Sequence, residues 1–110
     1  MADEKPRIMR GAIEEVIVSI DDDCVGHTCY LSIGDAKKCF VTVTQRAIVP
    51  TDAGCEIVFS LTQEDTLACK AGKWSMQMRT VEDETAAFAT EWIPVEIGEA
   101  INKEVLEDVD

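Results

Sequence analysis

The sequence predicts an all-β domain: an antiparallel immunoglobulin-like β-sandwich of about seven short strands, with a short C-terminal tail or helix. Three observations carry this expectation. Apolar and polar residues alternate along several short segments, the period of a half-buried strand. Turn chemistry recurs at intervals of roughly 8–12 residues, as in sandwiches and barrels. No segment has the length of a crossover helix, so a parallel sheet is not expected.

The elements follow in order. Residues 1–10 are charged and contain Pro6, and they read as a flexible N-terminal arm. Residues 11–98 read as the sandwich domain and 99–110 as an acidic C-terminal tail. Within the domain, "VIVSI" (16–20) alternates Val16, Val18 and Ile20 against Ile17 and Ser19, which predicts the first strand. "DDDCVGH" (21–27) is a loop by charge and glycine, and "TCYLSI" (28–33) is a strand. "GDAK" (34–37) makes the turn, and β-branched "KCFVTVTQ" (38–45) makes the return strand. "RAIV" (46–49) is a short strand that Pro50 ends, since proline cannot donate to a ladder.

"PTDAG" (50–54) is turn chemistry and "CEIVFSL" (55–61) the next strand. In "TQEDTLACKAG" (62–72) Thr62 is placed to cap one helical turn, with Asp65 three residues on. "KWSMQMRTVEDETAAFATEWIPVEI" (73–97) reads as two strands folded back on each other. Trp74, Met76 and Met78 share one face of the first, and Phe88, Thr90 and Trp92 one face of the second. A three-residue loop at Glu82–Glu84 then sets Trp74 opposite Trp92 and Met78 opposite Phe88; a one-residue slip buries Glu91 opposite Met76. Apolar parity changes after Trp92, to Ile93, Val95 and Ile97, which calls for a bulge near Pro94. The tail "EAINKEVLEDVD" (99–110) has the length of about two helical turns, marginal in isolation.

Composition narrows the function. The chain of 110 residues has the commonest domain size, and its 46% hydrophobic content supports one packed core. Twenty-two acidic residues against ten basic ones give a net charge of −12, which disfavours nucleic acid and anionic membranes as partners. The same charge suits a basic protein partner. No apolar run approaches ~20 residues, and "MADEKPRIMR" lacks an apolar signal core, so a chain made and kept in a cytoplasm is expected. Five cysteines, an odd number without a secretory signal, are expected as reduced thiols. Cys39 and Cys55 sit in apolar β-like runs as small buried hydrophobes.

Chemistry-bearing motifs are weak. "CVGHTC" (24–29) places Cys24, His27 and Cys29 together, three ligands at cramped spacing with no second cluster to complete zinc. "DDD" lacks the alternating acidic pattern of a calcium loop. One histidine must serve as base for any cysteine nucleophile, and neither Cys24 nor Cys29 has a basic neighbourhood. Glu14–Glu15 and Glu82–Glu84 lack the apolar pocket that raises an acid's pKa. No glycine-rich phosphate loop is present. The expectation is a non-enzyme with no catalytic residue, metal or cofactor.

"IMRG" (8–11), "SLTQEDTLAC" (60–69) and "MQMRTVEDETAAFATEWIPVEIGEAINKEVL" (76–106) together resemble small virion-associated proteins of phages and prophages of Gram-positive gut bacteria. The likeness covers about half the chain in conserved order, and is similar, more distantly, to the N-terminal β-sandwich domain of phage baseplate upper proteins. It departs from that pattern at "AIEEV" after Gly11, at "EDET" in the hairpin, and through the cysteine-rich stretch 24–55. It implies a non-enzymatic tail or baseplate component located in the virion and made in the host cytoplasm. Its partners would be protein, either copies of itself as a homo-oligomer or other virion proteins. The expected interface residues are Ile8, Met9, Arg10 and Gly11 in the arm, and Ile101, Val105 and Leu106 in the tail. An alternative on the same fold is a carbohydrate- or peptide-binding module, which requires exposed aromatics. Most of Tyr30, Phe40, Phe59, Trp74, Phe88 and Trp92 fall at inward-reading positions.

Overall fold

In the computed structural model, residues 6–84 and 86–108 are described. The start of the expected arm, residues 1–5, and the last two residues of the tail lie outside them. The order is β1 (Arg7–Met9), β2 (Glu14–Ile20), β3 (Thr28–Gly34), β4 (Cys39–Thr44), β5 (Ala47–Pro50), β6 (Cys55–Leu61), α1 (Gln63–Ala68), β7 (Gly72–Asp83), β8 (Ala86–Ala89) and β9 (Ile93–Gly98). Strands hold 54% of the chain and helix 6%, so the protein is mostly β. One sheet runs β1-β9-β7-β3-β4 with β8 also on β7; the other runs β2-β6-β5. Together they make a curled half-barrel.

Alternation decides the core. On β6 the buried Cys55, Ile57, Phe59 and Leu61 point inward, and their partners on β2 are Ile20, Val18, Val16 and Glu14. From the larger sheet Leu31, Ile33, Met76, Met78, Val95 and Ile97 meet them. Each such aliphatic side chain contributes about 1.5–3 kcal/mol when fully buried. The tight turn after β3 requires Gly34: its φ is +154°, and a Cβ there would lie 2.0 Å from the Lys38 carbonyl oxygen. Helix α1 begins as its sequence predicts. Thr62 Oγ1 accepts from the Asp65 amide at 3.1 Å, and the Asp65 carboxylate accepts from the Thr62 amide at 2.9 Å, a reciprocal cap.

Four details differ from the sequence-based expectation. First, residues 7–9 of the expected arm form β1, which pairs parallel with β9, Ile8 opposite Ile97. The two strands are far apart in sequence, so this one parallel pair needs no crossover helix and sits in an otherwise antiparallel sheet. Second, the hairpin register lies two residues from the expected one, with Thr80 opposite Phe88 and Arg79 opposite Ala89. A bulge between Val81 and Asp83 tightens the turn; a two-residue shift leaves the pairing parity unchanged, yet Phe88, expected inward, is exposed.

Third, the parity change after the hairpin occurs at residues 90–92 rather than near Pro94. There the return strand takes one extra residue, so Trp74 faces Val95 and Met76 faces Ile93. Thr90 holds the break: its amide donates to the Met78 carbonyl at 2.9 Å and its hydroxyl oxygen accepts from the Met78 amide at 3.1 Å. The expected Trp74–Trp92 pair is absent. Trp74 instead packs edge-on against Phe40, ring centroids 4.7 Å apart, and Trp92 is thrown outward. Fourth, residues 99–108 contain no helix.

Candidate interaction site

The expected interface residues separate into two groups. Ile8 is 2% exposed and belongs to the chain's own core. The others gather at one end of the molecule. Met9 lies against Gly98, where a Cβ would come within 2.5 Å of its sulfur. The Arg10 amide donates to the Gly98 carbonyl at 3.0 Å, and its guanidinium pairs with Glu99 and donates to the Leu67 carbonyl at 2.8 Å. Gly11 adopts φ +84°, a conformation that favours glycine, and a Cβ there would lie 3.8 Å from the side chains of Ala100 and Leu67. The sequence of the arm thus docks on α1 and on the root of the tail.

Thr66, which the sequence did not single out, makes this docking specific. It is fully buried; its hydroxyl accepts from the Gly11 amide at 2.9 Å and donates to the Ala12 carbonyl at 2.9 Å. Its place in "TQEDT", one turn beyond the Thr62 cap, marks it as helical but gives no sign of its partners. The tail is held at a second point by Gln63, whose amide donates to the Leu106 carbonyl at 2.8 Å and accepts from the Leu106 amide at 2.7 Å. Gln63 thereby imitates a strand neighbour with its side chain. Ile101 is fully exposed and Val105 and Leu106 are half exposed in the tail, and Met9 and Ile13 are exposed as well. Exposed apolar side chains grouped at one place are the mark of a contact surface.

Electrostatics tighten the root. The Glu99 carboxyl is held below the ordinary carboxylate range, first by the Ala100 amide and then by Arg10.

A small cleft of about 60 Å³ on the larger sheet is lined by Trp92 together with Ser32, Gly34, Asp35, Cys39, Ser75 and Gln77. Trp92 is 51% exposed because the bulge at 90–92 aims it outward. Phe88 is also exposed, on the short strand β8. An aromatic face beside hydroxyl, amide and carboxylate groups can stack on a flat ligand and hydrogen-bond its edge.

The cysteines divide differently. Cys24, Cys29, Cys55 and Cys69 are buried, while Cys39 is exposed, against the expectation that it packs inward. The bulge at Ile33/Gly34 gives β4 an extra residue and turns the Cys39 thiol to the outer face, beside Thr42. All five are unpaired. Cys24, Cys29 and Cys55 meet between the sheets: the Cys24 amide donates to Cys55 Sγ at 3.3 Å, and Cys29 Sγ lies 3.4 Å from the Thr80 hydroxyl. Burial, followed by the neighbouring Cys29 and Cys55, pushes the Cys24 thiol up to about 11. Such thiols are poor nucleophiles at neutral pH. His27 stands apart from them, its Nε2 3.3 Å from Glu82. Among the described residues no group of three His, Cys, Asp or Glu side chains is arranged to hold a metal ion.

Compared with protein-family models, with characterised proteins and with solved structures, the chain matches none of them.

Proposed function

We propose that this chain is a non-enzymatic structural or interaction protein. Its resemblance to phage-encoded sequences makes it a tail- or baseplate-associated component of a phage or prophage, working in the virion. On this reading the half-barrel is an immunoglobulin-like sandwich with one side left open. One observation carries the proposal: segments from both ends of the chain, 9–13 and 99–106, converge on α1 and hold Met9, Ile13, Ile101, Val105 and Leu106 out to solvent. A tail without a contact to make would gain nothing from two anchor points, since ordering each residue costs about 1–2 kcal/mol.

The test is size-exclusion chromatography with light scattering on the full chain, on a chain ending at Gly98, and on I101D/L106D. Association by the full chain that both variants lose supports the reading. A clean monomer for all three at high concentration overturns the self-assembly form of it.

A second reading is favoured by exposed Trp92: a carbohydrate- or peptide-binding module on the same fold. In a Trp74→Phe background Trp92 alone reports. A shift of its emission on titration with soluble oligosaccharides would support this reading, and invariance would remove it.

A further inference from the structure

The half-barrel stays open along one side. A cleft of about 430 Å³ runs between β1 and β2, with Arg7 and Ile8 on one bank, residues 14–19 on the other, and Met76 and Ile93 on the floor. Successive side chains of a strand point to opposite faces. Six consecutive residues therefore line one groove only when it follows the strand's edge. Among the described residues, no strand pairs with β2 on the side away from β6.

Natural sheets guard their edges with shortness, proline, lysine or bulges. The other edges here do so, β8 by having only four residues. β1 has three residues, and its Met9 amide is taken by the Glu14 carboxylate at 2.9 Å. β5 has four residues and ends in Pro50. β4 is bulged against β3 beside a turn carrying Lys37 and Lys38. β2 is different: seven residues, in unbroken register with β6, without proline, glycine, lysine or bulge. Its charges are Glu14 and Glu15 at the head; Val16 to Ile20 carry none.

We propose that the free edge of β2 takes up an extended segment of a basic partner protein, adding it as a further strand. The segment would be apolar at alternate positions, with lysine or arginine between. Its apolar side chains would enter the cleft above Ile8, Met76 and Ile93, and its basic ones would lie outside, beside half-exposed Glu15, which already pairs with Arg46 at 2.8 Å. Backbone hydrogen bonds supply affinity in such strand addition, and alternate side chains supply specificity. Charge selects the partner's sign: a domain of net charge −12 repels a second copy and attracts a basic chain. This inference rests on the interaction reading above and names the partner's chemistry.

The probe is a capped peptide of four Lys-Val repeats, compared with a peptide of four lysines followed by four valines. Both are titrated against the full chain by calorimetry, with amide hydrogen exchange read by NMR. The alternating peptide binds at least about tenfold more tightly than the block peptide, because only it sends valines inward and lysines outward. Alternate amides of residues 14–20 gain protection. The variant I17K/S19K, altered at two exposed outward positions, keeps its fold and loses at least about tenfold in affinity. Equal binding of both peptides overturns the proposal, as does protection at β4 or β5. Protection of the β2 edge without peptide, in a chain that light scattering shows to be self-associated, also overturns it and gives the edge to a second copy. If tail-dependent association persists while neither peptide binds, the strand-addition proposal fails and the interaction reading stands; loss of both removes both.

Discussion

Cys24 and Cys69 are buried in surroundings that oppose ionisation. Cys24 is pushed up to about 11 by burial and by Cys29 and Cys55; Cys69 is pushed up to about 11 by burial and then by Asp65. The folded chain keeps these protons to higher pH than the unfolded chain, whose thiols titrate near 9.0. Stability from the two groups is therefore intact below pH 9 and lost as pH rises from about 9 to 11, at up to roughly 3 kcal/mol per thiol. Urea midpoints measured between pH 8 and pH 11 should fall across that window, and C24A/C69A should lower stability at pH 8 while flattening the fall. An unchanged slope in the variant would assign the alkaline loss to other groups. Sequence alone could place thiols in apolar runs, which worked for Cys55. It failed for Cys39, because a bulge one residue long decides which face a strand side chain takes.

At the scale of elements, local signals were legible and their junctions were not. The β6 span and the Thr62–Asp65 cap were readable because alternation and capping act within a few residues. The hairpin parity was readable for the same reason. Its register and the site of its bulge depend on Thr90 meeting Met78, a contact with no local signature, which is why alternation alone places Trp92 on the inward face. The arm and tail, separate elements in the sequence, are joined through Thr66 and Gln63 on α1. Gln63 offers the cleaner test, since it holds the tail without supporting the core. Gln63→Ala should lower global stability by less than about 1 kcal/mol, the net worth of exposed hydrogen bonds. It should also raise the exchange rate of the Leu106 amide by tenfold or more. A Leu106 amide already unprotected in the parent chain would show that the clamp does not persist in solution. Of the expected interface, six residues lie at this end and Ile8 does not, because an apolar residue in a charged segment reads alike whether it docks on a neighbour or on its own sheet.

At the scale of the whole molecule, the two proposed contacts respond oppositely to salt. Self-association through the tail face brings together two bodies each of net charge −12, with Glu99, Glu104, Glu107 and Asp108 along the tail itself. Screening lowers that repulsion, because the Debye length falls from about 30 Å at 0.01 M to about 3 Å at 1 M ionic strength. Burial of Ile101, Val105 and Leu106 is at the same time little weakened, so the dimer dissociation constant should fall as sodium chloride is added. Strand addition of a basic segment at β2 joins opposite charges, and its affinity should decline over the same range, mostly through a slower association rate. Measuring both on one preparation, by light scattering for the first and peptide calorimetry for the second, separates the surfaces without a mutation. Two contacts that weaken together with salt would mean that the tail face also works by charge, and the apolar group around Ile101 would then lose its place as the assembly surface.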